Sequence, residues 1–110
     1  MNIVEREQNG VTIFVLDGRV DTQGAMEMDK SLQAAITQGK YKLIMDMTDV
    51  TYISSAALRS LADILTKSKK GGGDLKLVAL NSKILRVFRI IGFDKYFSIF
   101  DSLEAAQAAQ

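Results

Sequence analysis

Val11, Ile13 and Val15 are separated by Thr12 and Phe14, a period of two that predicts a strand. Ile3 stands in a similar stretch upstream. Asn9-Gly10 lies between the two, and both residues tolerate positive φ. Residues 2–18 therefore predict a hairpin, ended by Asp17-Gly18. The period then changes. Ala25, Met28, Leu32, Ala35 and Ile36 recur at spacings of three and four, with Asp21 or Thr22 as the N-cap and Gly39 just past the end. In "YKLIMDMTDV", residues 41–50, Leu43, Ile44 and Met45 form an unbroken run, which predicts a strand covered on both faces.

Ala57, Leu58, Leu61, Ala62, Ile64 and Leu65 return to helical spacing, and "KSKKGGGD" stops that helix. "DLKLVAL" predicts a strand. "SKILRVFRIIG" predicts a helix with Ser82 as its cap and Gly92 as its stop. Phe97 to Phe100 predict a short strand, followed by a helix begun by Asp101 or Ser102. The order ββαβαβαβα implies an α/β (α+β) domain, with a mixed β-sheet of about five strands and four helices. At 110 residues, with no linker or repeat, the chain predicts one domain spanning 1–110.

Composition narrows the chemistry. The chain has no histidine and no cysteine, which removes the commonest general base, the commonest metal ligand and any disulfide. The formal net charge of +1 gives no broad field for nucleic acid or for an anionic membrane. No run approaches the roughly 20 apolar residues of a membrane span. The first ten residues lack the zones of a secretion signal. These features predict a cytoplasmic domain without cofactor or metal. Near-neutral charge and the lack of an evident exposed apolar stripe predict a monomer.

Several groups could carry chemistry. The glycines of "KSKKGGGD" follow the lysines and precede a strand, the reverse of a phosphate loop, so nucleotide binding with slow hydrolysis has no visible cradle. Asp46 and Asp49 bracket a strand end, where paired acids commonly serve turns. Met28 and Met45 fall on core faces, which argues against a soft-metal site built with Met26 and Met47. Lys83, Arg86 and Arg89 share one side of a helix, either a solvated face or a docking patch.

"TYISSAALRSL" places Ser54 and Ser55 where a strand hands over to a helix. Ser54 as N-cap would accept from the amide of Ala56 or Ala57. Ser55 would then be the first helical residue, off the apolar face and at the positive end of the helix dipole. Arg59 lies one turn on, on the same side. A phosphoryl group at Ser55 would add about −1.5 to −2 charges there without disturbing the core.

Three stretches resemble the STAS domain of bacterial anti-sigma factor antagonists. They are "LDGRVDT", "LIMDMTDVTYISSAALRSL" and "LKLVALNSKILRVFRIIGFDKYFSIFDSLEAA". The likeness covers essentially the whole chain. The family's switch commonly reads Asp-Ser-(Ser/Ala)-Gly-Leu. Aligned on Leu58, Ser55 takes the place of the phosphorylated serine. Ser54 replaces the Asp and Ala57 replaces the Gly.

The resemblance implies a partner-switching regulator and not an enzyme. Unphosphorylated, it would bind an anti-sigma factor that is also a GHKL-type serine kinase, and so free the sigma factor. Phosphorylated on Ser55, it would let go, and a PP2C-type phosphatase would reset it. The implied partner surface is Asp21, Thr22, Asp46, Thr48, Ser54, Ser55, Ala56, Ala57 and Arg59. The alternative is an unphosphorylated STAS scaffold, a subunit of a transport or signalling assembly, in which both serines only cap.

Overall fold

The structure, a computed structural model, describes residues 1–109. Strands β1 (Asn2–Gln8) and β2 (Val11–Val20) form the hairpin, with Gln8 opposite Val11. Its turn is Asn9 at φ 55° and Gly10 at φ 77°, the paired positive values that a two-residue hairpin loop requires. The chain continues through α1 (Thr22–Thr37), β3 (Lys42–Ile53), α2 (Ser55–Lys70), β4 (Asp74–Val78) and α3 (Ser82–Ile91). A short 3-10 turn at Phe93–Lys95, β5 (Ser98–Phe100) and α4 (Leu103–Ala108) complete it.

The five strands lie in sequence order, with every pair after β1·β2 parallel. Strand order that advances steadily through right-handed crossovers puts every crossover helix on one face. Accordingly α1, α2 and α3 share a core cluster with the sheet, built on residues such as Phe14, Met28, Met45, Leu61 and Phe88. On the other face α4 closes a smaller cluster of Val11, Ile13, Ile44, Val78 and Ala106. Leu43, Ile44 and Met45 are thus buried from both sides, as their unbroken run predicts.

Four sequence expectations are corrected. Asp17-Gly18 does not end β2, which runs on to Val20. β3 likewise extends past Val50 to Ile53. The strands stay paired because β3 absorbs two extra residues. Val15 faces Asp46 and Val20 faces Ile53, so five steps on β2 match seven on β3. Asn81, not Ser82, caps α3: its Oδ1 accepts from the Ile84 amide at 2.9 Å. Finally, exposed apolar residues do occur together, Val87, Ile90 and Ile91 of α3.

Candidate functional site

Ser54 follows the last residue of β3 and caps α2. Its Oγ accepts from the Ala57 amide at 3.2 Å, which settles the choice between Ala56 and Ala57. Its own amide donates to the Val20 carbonyl at 2.8 Å and so fastens the helix start to the end of β2. The residue is 6% exposed. Ser55 follows as the first helical residue. It is exposed, and its hydroxyl has no hydrogen-bond partner among the described residues. No acidic residue occupies the first turn of α2, so the positive end of the dipole is uncompensated there.

The neighbouring helix repeats the arrangement. Asp21 caps α1, its Oδ1 accepting from the Gly24 amide at 2.8 Å, and Thr22 is the exposed first helical residue. Both helices follow parallel strands and pack side by side, so their N-termini share one end of the molecule. Between these ends lies a shallow groove lined by Thr22, Ala25, Met26, Ala56, Arg59 and Ser60. Asp29 forms its floor and accepts from the Ser60 hydroxyl at 2.5 Å. Arg59 is exposed one turn below Ser55, without an ion pair among the described residues.

Asp21, Thr22, Ser55, Ala56 and Arg59 therefore sit at one tip. Ser54 belongs to it from beneath. Ala57 has no exposed surface at all, so its methyl group fills core and offers a partner no contact. Asp46 and Thr48 do not join the tip. Asp46 faces Val15, five β2 steps (about 16 Å) from Val20, whose partner Ile53 precedes Ser54, and Thr48 precedes Asp49, which faces Asp17, three steps (about 10 Å) from Val20. Asp46 Oδ1 instead accepts from the Thr48 amide at 3.1 Å and from its hydroxyl at 2.6 Å, which braces the first extra residue of β3. Asp49 is exposed opposite Asp17.

Three side chains at this end were not placed there by the sequence alone. Met26 is 65% exposed at the groove. Its signal was a large apolar residue off the stripe of Ala25, Met28 and Leu32. Arg19 stacks on the Tyr52 ring, 4.4 Å from its centroid, across the last strand pairings before Ser54. That pair depends on register, which spacing does not reveal. Among the described residues no cluster of acids could hold a metal ion, and no helix is long and apolar enough to cross a membrane.

Comparison with known proteins bears on the family and the fold. The chain is 31% identical to BtrV of Bordetella bronchiseptica, provisionally named an anti-sigma factor antagonist, over 99% of this chain and 94% of that one. It is 29% identical to the anti-sigma-B factor antagonist of Bacillus subtilis, covering 90% and 92% of the two chains. A Thermotoga maritima protein, also provisionally named an anti-sigma factor antagonist, superposes with a TM-score of 0.92 at 23% identity, over 97% and 92% of the chains. The sequence pattern of the STAS domain matches residues 2–106, and the chain belongs to the STAS domain family.

Proposed function

We propose that this chain is an anti-sigma factor antagonist that works by partner switching, with Ser55 as its phosphoacceptor. Unphosphorylated, it binds an anti-sigma factor with serine kinase activity of the GHKL type, and a PP2C-type phosphatase restores this state. The observation that carries the reading is the division between the two serines. Ser54 is buried and committed to the cap, while Ser55 is exposed and uncommitted at the same helix tip. A protein of the same fold, SpoIIAA of Bacillus, has been solved with and without phosphate (TM-score 0.79 in both, 14% identity), which supports a fold that tolerates the group.

The switch needs no rearrangement. A partner surface shaped for a neutral hydroxyl must desolvate a near-dianion after phosphorylation, or repel it with its own carboxylates. A loss of about 2.8 kcal/mol is enough for 100-fold weaker binding. The chain itself stays folded, because the added charge points to water at a dipole end that favours anions. Incubation with ATP and the kinase, followed by mass spectrometry, tests the acceptor. Phosphate on Ser55 is expected; phosphate on Ser54, or on neither serine, overturns the assignment.

One observation favours a second reading, the unphosphorylated scaffold. Ser54 stands where the family commonly has Asp, so no carboxylate adjoins the Ser55 hydroxyl from that position. The substitution of Ala57 for Gly lends this reading no support, since its methyl group lies inside the core.

A further inference from the structure

We propose that the outward face of α3 is a second docking surface, which takes an acidic segment of the partner carrying an apolar anchor. The inference rests on the partner-switching reading for the identity of that partner. α3 carries Lys83, Arg86 and Arg89 and no acidic residue, in a chain whose net charge is only +1. All three are exposed. Val87, Ile90 and Ile91 lie among them, and Ile90, at 73%, is the most exposed large apolar side chain of the described residues. Beyond the helix, Asp94 and Lys95 offset one another.

The face is held rigidly. Asn81 accepts from the Ile84 amide and donates from Nδ2 to the Val50 carbonyl at 3.1 Å, so one side chain both caps α3 and ties it to β3. Ile84 and Phe88 are buried in the core. The remaining apolar residues are therefore presented outward on a fixed support, which lowers the ordering cost of binding. The face is also continuous with the Ser55 tip. A depression lined by Thr51, Tyr52, Ile53, Lys83, Ile84 and Val87 runs from α3 to the residue just before Ser54.

Charge decides the occupant. A second copy would bring a like-charged α3 face and be repelled. A lipid surface would need the apolar stripe of the helix, but Ile84 and Phe88 are spent on the core. Three basic residues alone give weak attraction to anionic lipid. An acidic protein segment satisfies both features: its charges speed encounter with Lys83, Arg86 and Arg89, and an apolar side chain beside Ile90 and Val87 slows departure.

The test uses the full chain and a purified ATP-dependent kinase that phosphorylates its Ser55, with rates followed by surface binding at several salt concentrations. Arg86→Glu/Arg89→Glu is expected to weaken binding about 10-fold at low salt through the association rate, with the difference fading toward 0.5 M salt. Ile90→Ser is expected to raise the dissociation rate about 5-fold. Lys69→Glu/Lys70→Glu, the same charge change at the far end of α2, is expected to bind like wild type. Unchanged binding by the α3 variants overturns the inference while Ser55→Asp still weakens binding. Equal loss in the α2 variant also overturns it, by reducing the effect to overall charge. So does salt-sensitive sedimentation of wild type, lost in the α3 variant, with vesicles of phosphatidylglycerol and phosphatidylcholine in equal parts, which would assign the face to membrane. Absence of any kinase that modifies Ser55 overturns the partner-switching reading itself.

Discussion

Ser54 and Ser55 are chemically identical and differ only in what surrounds them. The Ser54 hydroxyl replaces a solvent contact for the Ala57 amide, so Ser54→Ala is expected to cost about 1 kcal/mol in denaturant unfolding. Ser55→Ala and Ser55→Asp remove no internal bond and are expected to stay within about 0.5 kcal/mol, while Ser55→Asp lowers partner affinity. A Ser55 variant as destabilised as Ser54→Ala would make both residues structural. Ala57→Gly separates stability from recognition in the same way. It trades a good helix former for a poor one and empties a methyl site that is fully buried, a combined cost of about 1–2 kcal/mol, yet it leaves partner affinity unchanged. The Ser54 cap was legible in the sequence because capping is local, decided within three residues. The place of Asp46 was not, because its distance from the tip depends on how β3 pairs with β2. The same pairing hid the Arg19–Tyr52 stack.

At the scale of elements, the long strand and the glycine turn show where local pattern stops being informative. Helix starts to within a residue (the α3 cap is Asn81, not Ser82), the hairpin and the doubly covered strand were readable, since caps, turns and periodicity are properties of short windows. The ends of β2 and β3 were not. Asp17-Gly18 signals a stop, but pairing with the extra residues of β3 carries the strand through, with Gly18 at φ 101°. In the GGG turn, flexibility turns out to be secondary to space. A Cβ on Gly71 would lie 2.3 Å from the Tyr41 ring, and one on Gly73 would lie 1.9 Å from the Tyr41 carbonyl oxygen. Gly71→Ala and Gly73→Ala are therefore both expected to destabilise by more than about 2 kcal/mol. Adding Tyr41→Ala is expected to restore part of the loss for Gly71→Ala, where the obstacle is a side chain. It should restore nothing for Gly73→Ala, where the obstacle is backbone. Thermal melts of the two pairs distinguish these outcomes, and equal rescue in both would show that the turn simply moves.

Across the whole molecule, most charge lies at the seams between elements, with buried Lys76 of β4 paired to Asp74 at 3.3 Å as the exception among the described residues, and this sets how stability responds to pH. With no histidine, no side chain has an ordinary titration between pH 5 and 8, so the melting temperature is expected to be flat there. The acid limb includes the α1–α2 seam. Asp63 accepts from Gln33 Nε2 at 2.8 Å and pairs with Lys67 at 3.1 Å, while Lys67 also donates to Gln33 Oε1 at 2.9 Å. The Gln33 hydrogen bond first, and Lys67 after it, hold the Asp63 carboxyl below its usual 3.8. A depressed value in the folded state means stability that is present above 3.8 and lost as the pH falls through the folded value. Asp63 is about half exposed, so screening keeps this contribution under about 0.5 kcal/mol. The alkaline limb has the opposite sign. Lys40, hydrogen-bonded to Glu7 and then Glu5 on β1, is raised above 10.5, so its stabilisation holds below that value and fades as the pH rises past the folded one. Melting temperatures of wild type, Asp63→Asn and Lys40→Gln from pH 2.5 to 11 test the scheme. Asp63→Asn should lessen the acid slope and Lys40→Gln the alkaline one. A slope between pH 5.5 and 7.5 in wild type would mean that a carboxylate inside the fold titrates far from its ordinary range, and the placement of charge at the seams would be wrong.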